Sequence, residues 1–307
     1  MSTNKLTVAA IVVAVLFTAC NKDKKSQNVL NLTAIDDSKS QLVNVKLQKS
    51  TEKKTFSIED CLGSISTIFD VKNKIFGYSY YGGYCLIDVE TGTEIKRIPL
   101  PKPIGSVVLD TIRNVIIGMC WSDETCDIDP WKLFRHVITI NLSDGSVSIS
   151  DKQFYGITLR SIYFFRDIEN EYVLNGYNPN ELMFINPTTG DIIRTLSLEA
   201  SMAEGIYDRK NNRLIGLTYP EDAAISTQRY IVTIDLNTGK TLNKVIAQGL
   251  DYYREQEADY DAVTNSFILI SNSSNEVMFF DIETGEITQR YQLDFNITSL
   301  KVWRSAE

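Results

Sequence analysis

The sequence predicts an all-β protein, a six-bladed β-propeller with four-stranded blades and a composite last blade of three N-terminal strands plus one C-terminal strand. Three observations predict it. First, a phrase of short apolar strand, Gly-containing turn and second strand recurs, with its glycines at Gly92, Gly145, Gly190, Gly239 and Gly285. Their spacings of 53, 45, 49 and 46 residues match a stacked or circular repeat. Second, the runs between turns are short, rich in Ile, Val, Tyr and Phe, and bounded by Gly, Asn or Asp, as strands are. Third, grouping the runs in fours leaves three over at the N-terminus and one at the C-terminus. Pairing these closes a ring and removes the open edges of a linear stack.

In chain order, alternating apolar runs at 29–35, 42–47 and 55–58 read as the three spare strands. The first full unit is 64–69, 74–80, 84–89 and 94–100. The second is 106–109, 114–120, 134–142 and 147–150. The third is 160–165, 171–177, 181–186 and 192–198. The fourth is 204–207, 212–219, 229–236 and 241–246, and the fifth 257–261, 266–271, 276–282 and 287–293. The strand at 297–303 remains. Within a unit, the first two strands flank an Asp/Asn-rich turn such as Asp70-Val71-Lys72-Asn73 or Asp208-Arg209-Lys210-Asn211, whose polar side chains bond the local backbone. Gly77, Gly118 and Gly216 in the second strands are expected to leave room where neighbouring blades converge.

The apolar-Asp-x-x-Thr-Gly repeat, seen as Ile87-Asp88-Val89-Glu90-Thr91-Gly92 and Ile234-Asp235-Leu236-Asn237-Thr238-Gly239, resembles the bacterial YVTN-type and TolB-like propellers, including the quinoprotein-like repeats. The resemblance covers about residues 28–304 and implies the ring architecture. The chain lacks the repeated blade tryptophans of the quinone-dependent members, carrying only Trp121, Trp131 and Trp303, and lacks the histidine cluster of the lactonase-like members.

The N-terminus starts with Lys5, continues as an apolar run and ends on small residues before Cys20, the pattern of an export signal. Phe17-Thr18-Ala19-Cys20 resembles the lipobox of bacterial lipoproteins in a relaxed form. That resemblance implies cleavage before Cys20, a diacylglyceryl group on its sulfur, and an envelope location, periplasmic or surface-exposed, with the outer membrane as the expected anchor. The domains are then a signal peptide at 1–19, a lipidated polar tether at 20–27 and a propeller at 28–307.

The formal net charge is −8, without the basic footprint that a nucleic-acid partner requires. Four further cysteines remain in an exported chain, which favours disulfides; the expected pairs are Cys120–Cys126 and Cys61–Cys85. The alternative is that they stay reduced as small buried groups.

Strand order puts the turns between first and second strands, and those between third and fourth, on one face. The longer connections fall on the opposite face, where binding is expected. Candidate binding residues there are Trp121, Asp123, Glu124, Asp127, Asp129 and Trp131 in one acidic, aromatic loop. Glu204 and Glu257 join them at the channel mouth, with Ser66, Ser106, Ser161 and Ser299 as further channel-lining residues. Clustered carboxylates suit calcium, but no full calcium-loop motif is present and no cofactor is expected. Tyr78 and Tyr80 are expected to pack between blades.

His136 is the single histidine, and no nucleophile motif stands near it. The sequence therefore favours a non-catalytic propeller, held at the membrane by its lipid, that binds an envelope protein, peptide or glycan through the acidic loop face. The alternative is a lactonase-like hydrolase or lyase that uses the channel-mouth carboxylates, with calcium as its ion.

Overall fold

The structure is a computed structural model. It describes residues 29–36, 38–47, 52–58, 67–80, 82–121, 134–155, 162–175, 180–218, 228–250, 258–271, 275–295, 297 and 299–305.

Among these residues the regular elements are β-strands. The chain opens with β1 (Val29–Asp36), β2 (Gln41–Lys46) and β3 (Lys53–Ser57). Blade 1 is β4 (Thr67–Asp70), β5 (Ile75–Tyr80), β6 (Gly83–Asp88) and β7 (Glu94–Pro99). Blade 2 is β8 (Ile104–Asp110), β9 (Val115–Trp121), β10 (Phe134–Asn141) and β11 (Val147–Ile149), followed by β12 (Phe154–Tyr155). Blade 3 is β13 (Tyr163–Arg166), β14 (Glu171–Asn175), β15 (Glu181–Ile185) and β16 (Ile192–Ser197). Blade 4 is β17 (Met202–Asp208), β18 (Arg213–Thr218), β19 (Tyr230–Asp235) and β20 (Thr241–Ile246). Blade 5 is β21 (Ala258–Asp261), β22 (Ser266–Ser271), β23 (Glu276–Asp281) and β24 (Ile287–Gln292), and the chain finishes in β25 (Ser299–Ser305).

Every pairing is antiparallel, and all but two, β25 with β1 and the short β12 with β10, join sequence neighbours. β25 pairs with β1, giving the order β25-β1-β2-β3. This is the composite blade that the leftover strands require. Its register runs from Val29↔Ser305 to Ile35↔Ser299. The short β12, which caps β10 through Phe134↔Tyr155 and Arg135↔Phe154, has no counterpart in the sequence expectation.

The apolar core lies between blades. Each of the six buried clusters spans two neighbouring blades, as in Leu32, Val43, Ile268 and Phe279 between the composite blade and blade 5, or Ile35, Leu42, Phe76 and Ile87 between the composite blade and blade 1. Six interfaces among six blades close the ring. Tyr78 is buried in one of these interfaces and Tyr80 packs against it, as expected from the sequence.

The turns work as the sequence implies. Between third and fourth strands, the N–H groups of Glu90 and Thr91 donate to Asp88 Oδ1 at 2.9 and 2.8 Å. Those of Glu283 and Thr284 do the same to Asp281 Oδ1, both at 2.9 Å. Between first and second strands, the last turn residue is left-handed in each of the five continuous blades: Lys74, Asn114, Asn170, Asn212 and Asn265 have φ of 48–58°.

The face assignment gains one refinement. The Thr-Gly turns lie beside the first-to-second-strand turns, as the Asn212 to Asn237 side-chain bond of 2.9 Å shows. They also lean on the outer strand of the preceding blade: Gln248 N–H donates to Gly285 O at 2.9 Å and Glu199 N–H to Gly239 O at 3.1 Å. Strand twist across the blade swings the outer strands toward the circumference, so only the inner turns form a true axial face. The expectation for the second-strand glycines is corrected: Gly77, Gly118 and Gly216 make room for the first and third strands of their own blades and not for the adjoining blade. A Cβ on Gly77 would meet Ile68 and Tyr84 at 2.7 Å, both within its own blade.

Candidate functional site

The sequence-expected loop site is only partly visible. Asp123, Glu124, Asp127, Asp129 and Trp131, with Glu257, Ser66 and Ser161, lie outside the described residues, as do Cys20, Cys61 and Cys126. What is described is the base from which the 122–133 connection leaves. Trp121 ends β9, opposite Arg135 of β10. Arg135 is buried, and burial lowers its pKa. His136 places Nδ1 2.8 Å from Ser150 O, a bond that ties two strands of its blade together and gives the ring a structural duty.

The expected disulfides are corrected at their described halves. Cys85 and Cys120 are both buried thiols held in no disulfide, so neither Cys61–Cys85 nor Cys120–Cys126 is formed there. Both side chains point into packed interfaces: Cys85 among Tyr78 and Ile87, Cys120 among Ile104 and Ile138. Burial pushes the Cys85 thiol up to about 11, and its S–H lies 3.6 Å from Glu94 Oε2. These are inert small core groups.

At the inner strands the structure brings together other groups than those expected. Ser299 is fully buried and shares a hydrogen bond of 2.5 Å with Thr67 Oγ1 across the seam between β25 and β4. Ser106 is buried with φ of 50°, and its carbonyl accepts from Tyr172 O–H at 2.6 Å. Glu204 is half-buried in the irregular start of β17, where the β17–β18 register slips between Met202 and Glu204. Sequence reasoning missed Asp259. Its Oδ2 accepts from Val302 N–H at 2.7 Å and its Oδ1 from Tyr260 N–H at 2.8 Å, binding β21 to β25. Burial raises the Asp259 pKa, against Lys301 and the two backbone donors, which lower it.

Sequence reasoning also missed a cleft of about 330 Å³, on the turn side of the composite blade rather than the long-loop side. Asn31, Asn44, Lys46, Glu52, Lys54, Glu90, Trp303 and Ser305 are among its walls. The cleft exists because this blade has no covalent first-to-second-strand turn and no Thr-Gly turn. Asn44 Nδ2 donates to Val89 O of blade 1, while its buried Oδ1 has no partner. Asn31 Nδ2 donates to Val29 O at 2.9 Å and to Ser305 Oγ at 3.0 Å. Trp303 donates Nε1–H to Thr33 Oγ1 at 2.9 Å and has the Lys74 ammonium 3.6 Å from its ring centre. Burial lowers the Lys74 pKa, against the attraction of Glu90. Paired amides, an indole and balanced charges suit hydrogen-bonded recognition of a small polar molecule. The signal available in the sequence was that Trp303 stands in the one strand without a blade of its own. Among the described residues no group of His, Cys, Asp and Glu side chains is arranged to hold a metal ion.

No family model matches the chain, and no curated protein matches it. Solved structures do. TolB from Acinetobacter baumannii aligns with a TM-score of 0.64 at 12% identity, over 97% of this chain and 72% of that one. A protein of unknown function from Bacteroides caccae aligns with a TM-score of 0.60 at 12% identity, over 90% of this chain and 100% of that one. The nidogen/laminin complex structure contains a chain aligning with a TM-score of 0.58 at 11% identity, over 89% of this chain and 98% of that one. At such identities the likeness establishes the propeller fold and nothing about activity.

Proposed function

We propose that this propeller is a lipid-anchored envelope protein that binds a protein, peptide or glycan partner through its long-loop face and performs no chemistry of its own. The observation that carries the reading is the asymmetry of the connections. On the described strands, the ends facing one side are joined by short, side-chain-capped turns. The ends facing the other side launch the connections at 122–133, 219–227 and 251–257. Variable loops on a rigid ring are the usual seat of recognition. The acids and aromatics of the 121–133 stretch then supply charge and ring faces for a cationic or carbohydrate-like partner. Acylation of Cys20, expected from the lipobox resemblance, supplies the anchor.

The test uses photo-crosslinking residues placed singly at Trp121, at Asp127 and, as the opposing position, at Glu90 beside the turn-side cleft. A defined adduct from the first two positions and none from Glu90 supports the reading. An adduct from Glu90 alone moves recognition to the cleft and overturns it. The lactonase-like alternative makes a different prediction: calcium raises the melting temperature, and Glu204→Gln abolishes that rise.

A further inference from the structure

The first-to-second-strand turns share a feature that capping does not explain. In four of the five, a large aliphatic side chain stands in solvent: Val71 (46% exposed), Ile112 (63%), Ile168 (77%) and Val263 (68%). Single exposed aliphatics are ordinary, but Ile112, Ile168 and Val263 recur at one structural position around the axis, and Val71 stands one residue earlier in its own turn. The second residue after the strand-ending position is Lys72, Ile112, Ile168, Lys210 and Val263 in the successive blades. That position therefore carries only aliphatic or long-stemmed cationic side chains, and the exposed acid beside it in blade 3, Glu169, is paired with Arg166 at 2.7 Å. The turn acids Asp70, Asp110, Asp208 and Asp261 cap backbone N–H groups of their own turns, and the last three also meet an Arg. The other exposed large aliphatics, Ile95, Ile192, Ile193, Leu242 and Ile246, belong to outer strands of the blades.

A second observation says what covers this face. The sixth position in the ring of turns is the opening between β25 and β1, where Val29 pairs with Ser305. The polypeptide that precedes Val29 thus enters at the axial turn face. Nine residue steps separate Cys20 from Val29, a reach of about 30 Å at full extension. To bring the far face to the bilayer, this segment would have to run back along the ring by a strand length, about 20 Å for a strand such as β25, and so spend most of that reach.

We infer that the axial turn face is a membrane-contact surface, seating Val71, Ile112, Ile168 and Val263 at the level of the lipid headgroups. Lys72 and Lys210 there meet anionic lipid, as cations flanking aliphatics do at interfaces. This rests on the reading that Cys20 carries lipid. It fixes the orientation of the ring: the long-loop face looks away from the bilayer and is free to meet its partner.

The experiment uses the full-length, acylated chain in vesicles of phosphatidylethanolamine and phosphatidylglycerol containing brominated lipid. An environment-sensitive fluorophore is placed at Ile112→Cys, at Ile168→Cys or, on the opposite side, at Lys39→Cys, and each signal is corrected by the unsubstituted chain. The expected result is quenching severalfold stronger at the two tips than at Lys39. Equal quenching at all three positions, or none at the tips, overturns the surface. Lys72→Gln and Lys210→Gln should each weaken association with the anionic vesicles about fivefold and leave neutral vesicles unaffected; the same loss on neutral vesicles counts against the proposal. The mass of the anchored chain reads the acyl group separately. Tip quenching without an acyl group keeps the surface and removes the anchor, while acylation without tip quenching does the reverse. Tip labels that crosslink to a protein and are not quenched by lipid make the face a protein-docking surface and sink the proposal.

Discussion

The composite blade and blade 5 are built from the same four antiparallel strands, yet they hold their innermost strand by different means. In blade 5 the chain itself joins β21 to β22, and Asp261 organises the turn by accepting from Val263 N–H at 3.1 Å and Thr264 O–H at 2.6 Å. In the composite blade no covalent link joins β25 to β1. The ladder from Val29 to Ile35 does so, helped by groups reaching sideways. Arg304 clasps Asp261 of blade 5 through Nε at 3.1 Å and through Nη2. On the other side Trp303 packs on Phe69 of blade 1 with ring centres 5.6 Å apart. Closure is thus an association between two ends of one chain. The turns can be damaged locally, but the seam governs the whole ring.

The largest test of that contrast is to end the chain after residue 298. This removes β25, uncovers the buried Leu32 and Ala34 of β1, and leaves β1 without its inner neighbour and β21 without its neighbour across the seam. Open apolar edges of this kind drive association. The expected outcome is loss of the cooperative thermal transition, with aggregates by size-exclusion chromatography. A truncated chain melting within a few degrees of the full one would show that the seam carries no such weight.

Next in size is Arg304→Ala. It leaves Asp261 buried without its cation, and losing one member of a well-shielded pair costs about 3 kcal/mol. The matched change within a continuous blade is Arg113→Ala. Arg113 meets buried Asp110 at 2.8 Å, but its side chain is 44% exposed, so about 1 kcal/mol or less is expected. Urea midpoints of the two variants compare the seam with the turn directly. Equal shifts would erase the distinction.

Much of the contrast was legible in the sequence. The glycine period gave blade number and phase, and the leftover runs gave the composite blade, because strand alternation and turn chemistry are local properties. The sites were less legible because they depend on neighbours distant in sequence. Cys85 faces Tyr78, and Cys120 faces Ile104 and Ile138, in packed interfaces, whereas cysteine counting suggested disulfides. Asp259 matters because Val302, 43 positions later, donates to it. The cleft arises from turns that are missing, which a search for motifs does not register. The lean of each Thr-Gly turn on the preceding blade comes from sheet twist, which has no local sequence signature.

The Thr-Gly turns, which the composite blade lacks, make the third comparison. Gly239 and Gly285 have φ of 73 and 74°, and a Cβ on either would overlap a carbonyl of the preceding blade, that of Ser197 or Ile246. Gly239→Ala or Gly285→Ala should cost about 2–3 kcal/mol, left-handed strain plus a displaced backbone. Gly82 has φ of 92° but nothing within 4 Å of its would-be Cβ, so Gly82→Ala should cost about 1 kcal/mol from strain alone. Thermal melts of the three variants separate the inter-blade contact from the backbone conformation. Equal losses would mean that the lean of the turns on the preceding blade is energetically idle.

The smallest effect, and the most specific to the seam, is a pair of opposed pH dependences. Burial raises the pKa of Asp259, and Lys301 and two backbone donors only partly offset it. At Asp261 burial pushes the same way but is outweighed by Arg304, Thr264 and Val263 N–H, so its pKa is lowered. An acid with a lowered folded pKa contributes stability above its unfolded pKa of about 3.9, and that stability is lost as pH falls through the folded value. An acid with a raised folded pKa does the opposite. It favours the folded state while protonated, and that advantage is lost as pH rises through the folded value. Asp261→Asn should therefore flatten the loss of stability below about pH 4, and Asp259→Asn should remove a decline above it. The Asn at 259 also leaves one backbone donor poorly met, a cost that is the same at every pH, so the slope is the readout and not the midpoint. The decisive variant is Arg304→Ala, which removes a principal lowering influence on Asp261. Its acid-side slope should flatten while the slope due to Asp259 persists, because Val302 N–H still faces that carboxylate. If both slopes vanished together, Arg304 would be holding β25 in place as a whole rather than only charging the seam.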